Sequence, residues 1–129
     1  MKVSAPVLSV HNLARGQGIS YGLGFVAPRD MSVAIIGCGY ADNYSRSLSN
    51  RSWMLFEGHR LPILGRVCMQ LSAVDVSFVS RIDHGDRVFL LGGEGAGDID
   101  VHELAGWWKT VSYEVFCLLG KNERIFINC

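Results

Sequence analysis

The sequence has no surplus of charge: twelve Lys and Arg side chains are matched by twelve Asp and Glu across 129 residues. Without a basic patch to neutralise phosphates, nucleic acid is not an expected partner. No run approaches the ~20 apolar residues that a membrane span requires. The opening stretch Met1-Lys2-Val3-Ser4-Ala5-Pro6 lacks the long apolar core of a secretion signal. The expectation is a soluble cytoplasmic domain with no membrane partner. The four cysteines, Cys38, Cys68, Cys117 and Cys129, form no C-x-x-C pair, so they read as reduced thiols that behave as small hydrophobes. The four histidines are scattered without metal-ligand spacing, and no metal site is expected. No catalytic set is complete within the chain. The glycine-rich stretch Gly92 to Gly97 has no P-loop lysine and reads as a loop tip. There is no serine elbow and no Cys–His pairing in sequence. Lys2, Lys109 and Lys121 are the only lysines, and none stands where a strand would present a Schiff-base amine to a pocket.

What is present is the raw material of a compact β unit. Nearly half of the residues are hydrophobic and fifteen are glycine, enough for one domain with a core and many tight turns. Val7 to His11 alternates apolar and polar, as a strand with one buried face does. Ile19 to Val26 and Met31 to Ile36 follow, divided by the turn Pro28-Arg29-Asp30. Trp53 to Phe56 and Arg60 to Leu64 flank Gly58-His59, which reads as a hairpin turn. Val67 to Val76 and Asp86 to Leu91 read as further strands. Short strands at this spacing predict a mostly-β fold, a closed or nearly closed antiparallel barrel. The period then changes. Asp100 and Glu103 resemble a capping box, and Val101, Leu104, Ala105 and Trp108 fall on one helical face. Ser112 could cap a second helix that runs to Leu119 and stops at Gly120, and Arg124 to Asn128 closes the chain as a last strand. There is no internal repeat and no linker, so residues 1–129 read as one domain.

The residues with chemical potential are weak signals one by one. Tyr21 and Tyr40 each stand beside glycine, which lets a backbone approach another surface closely. A tyrosine in a β domain ordinarily packs its ring and turns its hydroxyl to water. Arg46 and Arg66 offer planar forks suited to carboxylates, yet either could be a solvated surface charge, and Met69 could be core filler.

Taken in order, the same fragments resemble the C-terminal domain of the alanine racemase family. Ser20-Tyr21-Gly22 is similar to that family's S-Y-G, Gly39-Tyr40-Ala41-Asp42 to its G-Y-A-D, and Arg46-Ser47-Leu48-Ser49-Asn50 to its R-x-L-S-N. Pro62 to Met69 resembles P-I-V-G-R-V-C-M, Val74-Asp75-Val76 resembles V-D-V, Gly85-Asp86-Arg87-Val88 resembles G-D-x-V, and Thr110 to Glu114 resembles T-I-x-Y-E. The resemblance spans about residues 6 to 128, and its specificity lies in the order and spacing of the motifs.

The resemblance implies a larger enzyme, of which this chain would be an excised or truncated part, inactive alone. In that family an N-terminal (β/α)8 barrel holds pyridoxal 5'-phosphate (PLP) on a lysine. Two subunits form a head-to-tail homodimer, and each β domain completes the partner's active site. The expected roles follow residue by residue. Tyr21 is the catalytic base acting on L-alanine, helped by a barrel histidine, because a free phenol ionises near pH ~10. Met69 meets the substrate carboxylate through its backbone, and Tyr40 lines a narrow entrance. Arg46 and Arg66 lie further out along the entrance corridor. Tyr113 contacts the PLP phosphate in its own subunit and implies a pocket fitted to the methyl group of alanine. Three departures stand out: Gln70 replaces the usual Asp, Asn43 stands where glycine is common, and Lys121-Asn122-Glu123-Arg124 replaces R-V-P-R. Two other readings remain open at this level: a related PLP racemase for serine, and a stand-alone β module that binds a protein partner.

Overall fold

The structure is a computed structural model, and it describes residues 1–19, 25–93 and 97–122. Six strands form one antiparallel sheet: β1 Val3–Leu13, β2 Met31–Ile36, β3 Trp53–Phe56, β4 His59–Pro62, β5 Ser72–Asp75 and β6 Arg87–Leu91. Their order across the sheet is β4-β3-β6-β1-β2-β5. The long β1 makes this order possible, because its first half pairs with β6 and its second half with β2. The two outer strands then meet. Ile63, just past β4, bridges to Val74 of β5, and the Leu64 N–H donates to the Ala73 carbonyl at 2.9 Å. The sheet thus curls into a nearly closed barrel, which leaves little edge exposed.

Alternating side chains sort into two cores. Val7, Ala34, Ile36, Met54, Leu61, Ile63, Val74, Val88 and Leu90 belong to the main cluster. Met31 and Val33, at the odd positions of β2, join Ile19, Ala27, Leu64 and Ala73 in a second cluster. Strand β2 is therefore covered on both faces, which accounts for its apolar run from Val33 to Ile36.

Two helices follow the sheet. Helix α1, Val101–Trp108, starts at a capping box: the Asp100 carboxylate accepts from the His102 N–H at 2.6 Å, and Glu103 accepts from the Asp100 N–H at 3.3 Å. Leu104, Ala105 and Trp108 are buried on the face that the spacing predicts, while Val101 is half-buried. Helix α2, Ser112–Leu119, contributes Val115 and Leu119 to the main core. No helix among the described residues is long and apolar enough to cross a membrane.

The structure corrects several sequence expectations. The hairpin turn is Glu57-Gly58, not Gly58-His59, with φ of 47° and 80°; two left-handed residues are what a two-residue turn between twisted strands requires. Val67 to Val76 is not one strand, because only Ser72–Asp75 pairs. The preceding residues turn back, with the Cys68 N–H donating to the Leu71 carbonyl at 2.9 Å. Ser112 is the first helical residue of α2 rather than its cap, a position held by Val111 without a side-chain bond. The expected strand Arg124 to Asn128, most of Ile19 to Val26 and the tip of the glycine-rich loop lie outside the described residues.

Candidate functional site

Two turns carry most of the candidate residues, and they are laced together backbone to backbone. The first turn begins at Gly39, runs through a 3-10 turn Tyr40–Asp42, and continues through a second one, Arg46–Leu48. The second turn follows Leu64 and contains Arg66, Cys68 and Met69. The Tyr40 N–H donates to the Cys68 carbonyl at 2.9 Å, and the Ala41 N–H donates to the Met69 carbonyl at 2.8 Å. Such contact needs glycine at position 39, because a Cβ there would lie 2.1 Å from the Cys68 oxygen and 2.6 Å from the Met69 carbonyl carbon. Further along, the Asn50 N–H donates to the Gly65 carbonyl at 3.0 Å, and the Asn50 side-chain oxygen accepts from the Gly65 N–H at 2.7 Å. Ser49 completes the lacing: its hydroxyl donates to the Arg46 carbonyl at 2.6 Å and accepts from the Val67 N–H at 2.8 Å.

These bonds bring the sequence-predicted residues together in pairs. Tyr40 and Met69 share one edge of the laced frame, and both are substantially exposed, at 44% and 54%. Ser49 joins Arg46 to Val67, the residue after Arg66, and both arginines are exposed. The Met69 carbonyl is occupied by Ala41, whereas its N–H has no acceptor among the described residues. An amide donor with no partner among the described residues suits a carboxylate ligand. Tyr113, in the first turn of α2, is 78% exposed, and its phenol makes no hydrogen bond among the described residues. Tyr21 lies outside the described residues. Its flanks are held: the Ala27 N–H donates to the Gln17 carbonyl at 2.8 Å, and Gly18 bridges to Val26. Ile19 also lines a narrow cleft with Arg66, Cys68 and Leu71, so one flank of Tyr21 borders the Met69 turn.

Tyr44 is fully buried, and its hydroxyl donates to Ser52 Oγ at 3.0 Å, while burial pushes its phenol well above the ordinary tyrosine range. Burial, helped by the Asp42 carboxylate, pushes the Cys38 thiol up to about 12, so Cys38 stays a neutral core residue rather than a nucleophile. The sequence analysis assigned no role to Tyr44, Ser49 or Asn50. Their bonds reach 8 to 18 residues along the chain; Ser49 and Asn50 stand in the R-x-L-S-N run, but nothing local named their partners.

Known proteins identify the family. The family model described as the alanine racemase C-terminal domain matches residues 1–126. The chain belongs to that family. Among curated relatives, the alanine racemase of Nitratidesulfovibrio vulgaris strain DP4 is 56% identical over 124 residues, covering 96% of this chain and 33% of its own length. That of Lawsonia intracellularis is 48% identical over 123 residues, 95% of this chain and 32% of its own. The crystal structure of alanine racemase from Bartonella henselae with covalently bound pyridoxal phosphate superposes with a TM-score of 0.88. It is 33% identical and covers 98% of this chain and 34% of that one. The chain thus spans about a third of the length of the racemases it matches.

The residues here fit pyridoxal phosphate only at its margin. Tyr113 presents an exposed phenol, a group able to donate to an anionic oxygen. Lys2, Lys109 and Lys121 are all exposed, and none is set in a pocket that would hold a covalent cofactor.

Proposed function

We propose that this chain is the substrate-side domain of an alanine racemase, an isomerase that interconverts L- and D-alanine. The observation that carries the reading is the laced frame, which presents Tyr40 and the free Met69 amide on one edge, in a chain that belongs to the racemase C-terminal family. The rest of the machinery would come from a PLP-binding barrel of the same enzyme and from a second copy in a homodimer.

When bound, PLP supplies the electron sink that makes the α proton of the amino acid removable. This chain's residues handle the substrate. The Met69 N–H receives the carboxylate. The Arg46 and Arg66 guanidiniums, always charged and poorly paired at the surface, attract that carboxylate on its way in. Tyr40 narrows the passage. Tyr113 steadies the phosphate and limits the side-chain pocket to a methyl group. The Tyr21 hydroxyl exchanges the α proton on one face of the substrate, opposite a base supplied from outside this chain.

The test is Tyr21→Phe in the full-length protein. The substitution removes one oxygen and keeps the ring, so bound cofactor, read from its absorbance, should be unchanged. A positioned acid–base group contributes ~10²–10⁴-fold, and the L-to-D rate should fall by at least that order. A Phe variant that racemises L-alanine at near wild-type speed would remove Tyr21 from the mechanism.

A further inference from the structure

We propose that Asn122 is a positioning residue for this reaction, its carboxamide tying the turn that carries Tyr40 to the helix that carries Tyr113. The inference rests on the racemase reading above. Asn122 follows the end of α2, and its backbone N–H donates to the Leu119 carbonyl at 3.2 Å, so it moves with that helix. Its side-chain Nδ2 donates to the Asp42 carbonyl at 2.7 Å, and its Oδ1 accepts from Asn43 Nδ2 at 3.4 Å. The Asp42 carbonyl closes the 3-10 turn that begins at Tyr40 and would otherwise be one of the open acceptors at a helical end.

The tether has a counterpart on the other side of α2. There the Ser47 hydroxyl donates to the Trp108 carbonyl at 3.1 Å, at the end of α1. The segment from Gly39 to Ser49 is therefore fastened to the chain both before and after α2. A helix of eight residues held at both ends against one segment cannot slide along it without breaking a tether. Tyr113 sits on that helix and Tyr40 on that segment, so these bonds hold the backbone positions from which the two side chains extend.

Asn122 is chemically particular. Only a carboxamide offers a donor to Asp42 and an acceptor to Asn43 from one rigid plane. Asn43 presents its amide from a left-handed backbone with φ of 64°, a conformation asparagine tolerates better than most residues. The structure sets Asn43 and Asn122 against each other across 79 residues of sequence.

The experiment uses the full-length, PLP-loaded protein with Asn122→Ala and Asn122→Asp. The Asp variant keeps an acceptor for Asn43 but faces the Asp42 carbonyl with a carboxylate in place of the donor. Four quantities are measured: kcat and KM for L-alanine, the same for L-serine, amide hydrogen exchange by mass spectrometry with and without cofactor, and the melting temperature. Both variants should raise KM for alanine about threefold to tenfold, the span of one lost hydrogen bond, with kcat little changed. The preference for alanine over serine should narrow, and exchange over residues 40–44 should quicken while the strands keep their protection. Unchanged exchange over 40–44 overturns the tether. An Asp variant that behaves as wild type overturns it too, as does a lower melting temperature with unchanged KM and selectivity. If the wild-type protein does not interconvert alanine, the racemase reading fails instead, and hydrogen exchange still decides the tether.

Discussion

Gly39 is the residue on which the placement of the site turns. Its Cα faces the Cys68 and Met69 backbone so closely that even one methyl group has no room, and the obstruction is backbone rather than the end of a flexible side chain. Gly39→Ala must therefore push the two turns apart, stretching the Tyr40–Cys68 and Ala41–Met69 bonds together. Overpacking of this kind costs about 1–3 kcal/mol, and the urea midpoint of the chain should fall accordingly. In the full-length protein KM should rise more than kcat falls, because Met69 would be displaced while the Gln17–Ala27 and Gly18–Val26 pairing is untouched. A Gly39→Ala chain as stable as the parent would mean that the turns are held by something other than this contact.

Helix α1 shows how an element is held by its first turn. The Asp100 carboxylate takes the His102 N–H, and Glu103 answers to the Asp100 N–H. Glu103 also receives both terminal nitrogens of Arg60, at 2.7 and 2.9 Å, while Arg60 lies 5.8 Å from the Trp107 ring centre and donates to the Gly97 and Asp98 carbonyls. One arginine thus joins the β3–β4 hairpin, the approach to α1 and the helix itself. The hydrogen bonds from Arg60 come first among the causes that hold the Glu103 carboxyl below its usual range. The contribution is present above the ordinary glutamate pKa and is lost as pH falls through the depressed one. The pair is partly exposed, so it adds modestly, and the N-cap is the larger lever. Asp100→Ala should lower stability by about 1 kcal/mol, seen as a smaller urea midpoint with unchanged slope. An unshifted midpoint would show that the cap is replaced by water at no cost.

At the scale of the whole molecule, the barrel and its two helices form a continuous core on their own, so the 129-residue chain should unfold cooperatively in urea. It should not retain PLP. Its three lysines lie at the surface, where an ammonium is fully hydrated and nothing excludes water from a covalent link. Incubation with PLP, borohydride reduction and mass spectrometry should give at most scattered, substoichiometric labelling. Stoichiometric modification of a single lysine would show that the chain has a cofactor pocket of its own and would overturn the division of labour proposed here.

Much of this was written in local sequence. Strand β2 and hairpin β3–β4 follow from apolar runs bounded by turn residues, and the start of α1 follows from the spacing of Asp100 and Glu103. The motif pattern singled out Tyr40, Met69, Arg46, Arg66 and Tyr113 as candidates, because each stands in a short run whose order along the chain is itself the signal. Tertiary structure decided what local pattern could not. Alternation carried the expected strand from Val67 through to Val76, yet the amides of Tyr40 and Ala41 claimed the Cys68 and Met69 carbonyls and ended it before Ser72. The roles of Ser49 and Asn50 depended on a turn brought alongside by barrel closure, and Asn122 meets Asp42 only because α2 folds back across the site. Periodicity records which face of a segment is buried. It carries no record of which distant backbone group will need a partner, and that is settled only when the strands have closed.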